Sequence, residues 1–368
     1  MKNIVMWVGS GCNEQAWGRI LSSYPAIVQV FQRGLSKQTT VWAKGECICA
    51  SPERSVCMRT LNDLLFSQPI ALKWFFKTWW KFRKKPVDLL IAESNYAYLG
   101  LWLRSFGATK LLVFYVTDHL PESNKWHITV HRRVISALHR YIAKRADEVW
   151  SLSPRIPIAR INAHAHIIPI YIDSTKDRTA SHRSEIVYIG RPSHDHALDI
   201  LFELAQKHCW LVNIIGDSPY LQSLSSLFSP NIKLHGFITD RNRITQIMQR
   251  CFCGYGVYRN TGESGYSYYG IPSKLFYYLS NDLPVITTNT SCFSAAVKDQ
   301  GIGRLIDPDL SQIEAAITDL RENYEVSKKS ITAFRQSWNT KVEDFLNQRM
   351  ISLFNKDVFS TRGDLTQP

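Results

Sequence analysis

The sequence predicts an α/β protein made of two doubly wound domains, each a parallel sheet with helices on both faces. Three observations carry that expectation. Short β-branched and aromatic runs alternate with helical stretches along most of the chain, a polar segment from Asp173 to Glu185 (DSTKDRTASHRSE) interrupts the alternation, and the same alternation then restarts. The length of 368 residues suits two hydrophobic cores of ordinary size.

In the first half, NIVMWVGSG, TTVWAKG, VDLLIAES and KLLVFYVTD read as strands. Helices are expected between them, around Ala26 to Leu35, Arg59 to Lys85 and Tyr96 to Phe106. A helix from about Trp126 to Arg145 then leads into the short strand of DEVWSLSP. After the polar segment come EIVYIGRP, a helix over Ala197 to Lys207, WLVNIIGDSP, NIKLHGF, a helix over Arg241 to Arg250, and CFCGYGVY. This divides the chain into a first domain at 1–172, a linker at 173–185, a second domain at 186–335, and a terminal helix with its tail at 336–368. Doubly wound domains bind ligands outside the carboxyl ends of their strands, and two of them facing each other enclose a cleft. The loops to inspect are therefore Gly9-Ser10-Gly11, Asp118-His119, Gly190-Arg191 and Gly216-Asp217.

The stretch from Gly262 to Thr288, GESGYSYYGIPSKLFYYLSNDLPVITT, is the most specific of these regions. A Gly/Tyr/Ser-rich loop feeds the start of an apolar helix, where free backbone N–H groups and the positive end of the dipole meet the cation of Lys274. Such an arrangement holds an anion. Pro272 suits the first helical position and Ser273 suits a capping role. The competing reading is an ordinary loop-helix-strand unit whose lysine sits in solvent.

A net charge of +13 implies an acidic partner: nucleic acid, an anionic membrane or a phosphorylated substrate. The apolar fraction of 45% with 20% charged residues is globular, and no apolar run reaches membrane-spanning length. The N-terminus enters a strand-like segment without a secretory pattern, which predicts a cytoplasmic protein. The eight cysteines include the pairs Cys47/Cys49 and Cys251/Cys253, but neither has a second pair or a histidine at zinc-site spacing, so no metal is expected. The densest charge lies in Lys73 to Lys85, KWFFKTWWKFRKK, where Lys73, Lys77, Lys81 and Lys84 recur at helical spacing among Trp74, Phe75, Trp79, Trp80 and Phe82. A basic stripe beside bulky aromatics suits the surface of an anionic bilayer, and a surface helix packing its rings inward is the alternative.

Taken in order, the motifs resemble those of GT-B glycosyltransferases, in particular the bacterial glycogen synthase-like, group 1 transferases of surface polysaccharide synthesis. YVTDHLPE, a long helix and AKRADEVWSLSP resemble the end of that family's first domain. IVYIGRP is similar to its Gly-Arg signature, NIKLHGFI to its N-x-x-x-x-G-x-x strand, GIPSKLFYYLSNDLPVITT to its Pro-x-Lys helix and strand, and RQSWNTKVEDFL to the terminal helix that returns to the first domain.

The resemblance implies a sugar-nucleotide donor of UDP type, held without a metal or other cofactor, while the aromatic-basic segment Lys73 to Lys85 and the basic segment His127 to Arg145 point to a glycan or lipid-linked acceptor at the inner face of the membrane. Arg191 and Lys274 match the positions that contact the diphosphate, with Gly190 keeping the backbone close and Ser273 adding a hydroxyl. Gly9, Gly11 and Gly216 are the other glycine-loop candidates, Phe237 and Ile238 match the loop that holds the base, and Tyr268 belongs to the loop ahead of Lys274. Two departures stand out: Tyr277 and Tyr269 occupy positions where the family often has glutamates, one for the ribose and one near the sugar. Glu263 is the carboxylate available in their place. As general base the candidates are Asp118 and His119, followed by Glu93 and Glu14. The alternatives are a sugar-nucleotide epimerase of the same fold and a basic nucleic-acid-binding module.

Overall fold

A computed structural model describes residues 2–8, 14–23, 26–32, 38–44, 46–52, 79–80, 82–94, 96–117, 126–168, 170–174, 183–259, 266–290 and 292–360. The chain divides into two compact units, residues 1–171 with 339–368, and residues 172–338.

The first unit is organised on an eight-stranded sheet of order β4-β3-β2-β1-β5-β6-β7-β8. Its strands are β1 (Lys2–Val8), β2 (Ala26–Gln32), β3 (Gln38–Ala43), β4 (Glu46–Pro52), β5 (Val87–Glu93), β6 (Thr109–Val116), β7 (Glu148–Ser151) and β8 (Ala165–Ile167). β1, β5 and β6 pair in parallel, and Ile4, Val5, Leu89, Ile91, Val113 and Phe114 are fully buried, as expected of strands covered on both faces. Two expectations are corrected here. Ala26–Gln32 is a strand rather than a helix, because its β-branched Ile27, Val28 and Val30 favour extended backbone and the segment pairs in parallel with β1 along its length. The sheet is mixed rather than wholly parallel, since β3 runs antiparallel to both β2 and β4. Lys44, between β3 and β4, has a φ of 52°, the left-handed conformation of a tight reversal.

The second unit carries a six-stranded, wholly parallel sheet of order β11-β10-β9-β12-β13-β14. The strands are β9 (Glu185–Ile189), β10 (Leu211–Ile215), β11 (Ile232–Leu234), β12 (Cys251–Gly256), β13 (Val285–Thr288) and β14 (Gly303–Ile306). Helices Leu198–His208 and Leu310–Glu322 bury Leu201, Phe202, Ile313 and Ile317 in one core with Val212 and Tyr255. The long helix Tyr324–Ser360 contributes to each unit separately. In the second unit Trp338 packs on Phe276, Phe293 and Phe334, and in the first Phe345 meets Trp150 while Arg349 pairs with the fully buried Glu148.

Candidate functional site

In the second sheet β9 lies between β10 and β12, so the chain winds outward on one side through β10 and β11 and on the other through β12 to β14. The carboxyl ends of β9 and β12 are therefore the point at which strand order reverses, the place where doubly wound sheets bind ligands. The candidate residues of this unit collect there.

Glycine makes the end of β9 possible. Gly190 has a φ of +130° and Gly216 one of +138°, values that side chains rarely tolerate. A Cβ on Gly216 would lie 1.9 Å from the carbonyl oxygen of Gly190, so the two strand ends touch backbone to backbone. The Gly190 N–H donates to Ile215 and the Gly216 N–H to Gly236, which lines up the ends of β9, β10 and β11. A Cβ on Gly190 would meet the Lys274 Cε at 3.5 Å and Nζ at 3.7 Å. The Lys274 amine thus rests against the residue that precedes Arg191.

Lys274 is the second residue of the helix Ser273–Ser280, whose N-cap is Pro272 with φ −60° and ψ 114°. Ser273 is the first helical residue and makes no side-chain cap, which corrects the expected capping: Pro272 already occupies the cap position, and the backbone N–H groups of Ser273 and Lys274 have no carbonyl partner among the described residues. The Lys274 Nζ lies 4.4 Å from the centre of the Tyr188 ring and 5.0 Å from that of Tyr258, and it donates to the Tyr188 hydroxyl at 3.3 Å. His196 closes the cage, 5.4 Å from Tyr188 and 5.1 Å from Tyr258 between ring centres. Burial among these rings pushes the Lys274 amine down to about 7, and burial with the nearby ammonium pushes His196 down to about 3. No carboxylate pairs with Lys274 among the described residues. A partly desolvated cation without a counter-ion among the described residues, beside helix N–H groups that have no carbonyl partner among them, is an arrangement that can receive an anion.

The remaining candidates sit at different depths. Arg191 is exposed, and its guanidinium pairs with no carboxylate among the described residues. Its carbonyl accepts from Tyr188 at 3.0 Å. Phe237 is 68% exposed directly after Gly236, at the end of β11, whereas Ile238 is buried. Tyr277 is half-buried on the Lys274 helix, its carbonyl accepting from Ser280 and Asn281. The Tyr268 and Tyr269 rings meet edge to face at 5.1 Å just ahead of that helix. Gly9, Gly11, Asp118, His119 and Glu263 lie outside the described residues, as does the side chain of Glu14. Glu93 is buried at the end of β5 and accepts from Thr117 at 3.1 Å.

Sequence reading missed the aromatic half of the site. Tyr188 stands two residues before Gly190, Tyr258 follows β12, and His196 lies in the turn after Arg191. Arg259 binds that turn to β12, with its N–H donating to Asp195, its Nη1 to His194 and its Nη2 to Asp199 at 2.5 Å. Tyr278 joins β9 to β12 where the strands part, accepting from the Ile189 N–H at 3.0 Å and donating to the Tyr255 carbonyl at 2.9 Å. A cluster of three His, Cys, Asp or Glu able to hold a metal does not occur among the described residues.

Residues 186–343 match the family model described as "Glucosyltransferase 3-like, C-terminal domain". No curated protein matches by sequence. Among solved structures, the sucrose-phosphate synthase tll1590 from Thermosynechococcus elongatus is similar over 98% of this chain and 100% of its own, with a TM-score of 0.64 and 14% identity. WaaG, a glycosyltransferase involved in lipopolysaccharide biosynthesis, is similar over 94% of this chain and 99% of its own, with a TM-score of 0.58 and 14% identity. A putative UDP-N-acetylglucosamine 2-epimerase from Listeria monocytogenes shares the fold as well, with a TM-score of 0.58, 10% identity, and coverage of 97% of this chain and 98% of its own. At such identities the structures establish architecture alone. The chain has the GT-B fold, and its residues 186–343 match a glucosyltransferase 3-like C-terminal domain.

Proposed function

We propose that the second unit holds a nucleoside diphosphate sugar and that the enzyme moves the sugar to an acceptor hydroxyl on a lipid-linked glycan intermediate of surface polysaccharide synthesis. The observation that carries the donor reading is the Lys274 amine, caged at the strand-order reversal with no carboxylate partner among the described residues. Charge grows on the leaving diphosphate as the glycosidic bond breaks, so a cation and free N–H groups at that point favour the transition state over the bound donor. In this reading Lys274, Arg191 and the N-terminus of the helix Ser273–Ser280 take up that charge without a metal. Tyr188, Tyr255 and Tyr278, whose phenols are raised by burial, stay protonated and serve as hydrogen-bonding groups rather than bases. The proton of the acceptor hydroxyl is assigned to Asp118 or His119. A uridine base is the first to test, in keeping with the UDP-N-acetylglucosamine named for the Listeria protein of this fold.

The sign of the Lys274 shift gives the test. An amine held near 7 in the free protein is raised by a bound diphosphate, so binding takes up a proton above pH 7. Calorimetric titration with a panel of nucleoside diphosphates should show one preferred base, proton uptake at pH 8, and an affinity that falls by up to about tenfold per pH unit above the free-state midpoint. A pH-independent affinity with no proton uptake would contradict the assignment.

The lipid-linked acceptor rests on a second observation, in the first unit. Trp80 and Phe106 are 54% and 56% exposed, Trp79 lies edge-on to both, and Arg83 and Lys84 stand over the indoles. The helix Trp126–Arg145 exposes Arg133, Val134, Arg140, Tyr141, Lys144 and Arg145 with no acid among them, and Arg104, two residues before Phe106, donates to its last carbonyl. Exposed rings rimmed by cations suit the headgroup region of an anionic bilayer. No helix among the described residues is long and apolar enough to cross a membrane. Sedimentation with phosphatidylglycerol vesicles should recover the enzyme, and the double variant Arg83→Glu, Lys84→Glu should bind about tenfold more weakly. Equal recovery with neutral and anionic vesicles would remove the lipid surface from the account.

A further inference from the structure

Tyr188 makes two contacts that the donor reading itself does not require. It is the fourth residue of β9, its ring is fully buried, and its hydroxyl reaches the carboxyl end of the strand. There the hydroxyl donates to the Arg191 carbonyl at 3.0 Å and accepts from the Lys274 Nζ at 3.3 Å. One phenol therefore spans two segments separated by more than eighty positions in the chain: the loop that carries Arg191 and the helix that carries Lys274. A hydroxyl has one proton and two lone pairs, so donating to the carbonyl fixes its rotor and turns a lone pair toward the ammonium.

We propose that Tyr188 is a positioning residue, whose hydroxyl holds the Lys274 ammonium in register with the Arg191 loop so that both are presented to one diphosphate. The inference rests on the donor reading of Lys274 and extends it to a residue that need not touch the ligand. Two features of the surroundings support it. The ring of Tyr188 also meets that of His196 edge to face, and His196 is itself held through its Nδ1 by the Ser193 hydroxyl at 2.8 Å, so the phenol has little freedom to follow a lysine that moves. Gly190, between Tyr188 and Arg191, lies beside the amine, since a Cβ built on it would stand 3.7 Å from the Nζ.

Among the described residues, the titratable groups facing the Lys274 amine are Tyr188 from β9, His196 from the turn after it and Tyr258 just after β12. Burial keeps both phenols protonated and His196 neutral through the neutral range, so a change in protonation seen there belongs to Lys274.

The test is Tyr188→Phe, which keeps the ring and removes the hydroxyl. In the unliganded protein the pH dependence of acylation at Lys274, followed by peptide mass spectrometry, gives the midpoint of its amine. Loss of the acceptor should lower that midpoint by about half a unit to one unit and weaken UDP about five- to tenfold, with melting within a few degrees of wild type. A midpoint and an affinity both equal to wild type would overturn the proposal. So would an affinity loss with an unmoved midpoint, because the hydroxyl would then act on something other than Lys274. If Tyr188→Phe folds poorly, 3-fluorotyrosine at the same position keeps the shape while weakening the acceptor, and the same downward midpoint shift is required of it. A wild type without affinity for UDP or any other nucleoside diphosphate defeats the donor reading, whereas the midpoint comparison still decides whether the tether exists.

Discussion

Lys274→Met is expected to weaken nucleoside diphosphate binding by about 100-fold while leaving the unliganded protein as stable as wild type or more so. The loss follows from removing a charge-assisted contact to phosphate, which is worth about 1.5–3 kcal/mol. The stability follows from the cage. Lys274 is lowered from the ordinary 10.5 to about 7 because its ammonium is desolvated, and the rings of Tyr188 and Tyr258 return only about 0.5–2 kcal/mol of that cost. Between pH 7 and 10.5 the unfolded chain binds a proton that the folded one does not, so wild-type stability rises with pH across that window relative to the variant. The stability advantage of Lys274→Met should thus be largest below pH 7 and vanish toward pH 10. Thermal melts of both proteins from pH 6 to 9, with and without UDP, check both halves. A variant less stable than wild type at pH 6 would show Lys274 to be a structural residue.

Gly216→Ala should be the most damaging single-methyl change in the second unit. Its Cβ would fall 1.9 Å from the Gly190 carbonyl oxygen, and its φ of +138° is a strained conformation for alanine. Relief requires the ends of β9 and β10 to separate, which breaks the Gly190 and Gly216 backbone hydrogen bonds to Ile215 and Gly236. We expect a loss of about 3 kcal/mol, which at roughly 2–4 °C per kcal/mol lowers the melting temperature by about 6–12 °C. The displaced Gly190 also lies against the Lys274 amine, so turnover should fall by about 100-fold in protein that still folds. By contrast, Gly107→Ala, at a φ of +68° with nothing near its Cβ, should cost only local backbone strain and leave donor binding intact. Melting curves and kcat/KM for the pair separate the two outcomes.

The parts of this fold that could be read from the chain are those whose cause is local. The apolar runs of β5, β6, β9 and β10 are buried on both faces and announce themselves by composition, and the Pro-Ser-Lys sequence announces the start of the helix Ser273–Ser280 because helix ends have fixed chemistry. Ala26–Gln32 was the misleading case: its polar Gln29 and Gln32 fit a helical repeat as well as a strand, and only pairing with β1 and β3 decides the matter. The cage around Lys274 was illegible for a different reason. Tyr188, His196 and Tyr258 are far from Lys274 in sequence and come together because β9 and β12 are neighbours at the order reversal. A tyrosine two residues ahead of a Gly-Arg turn gives no hint that its hydroxyl will reach a lysine from another helix.

Whether the Lys274 amine receives the leaving diphosphate can be seen in a crystal structure of the enzyme with UDP. A β-phosphate oxygen is expected within about 3 Å of the Lys274 Nζ, with the N–H groups of Ser273 and Lys274 turned to the same phosphate. A diphosphate bound away from the ends of β9 and β12, with the amine still engaged only by Tyr188, would contradict it.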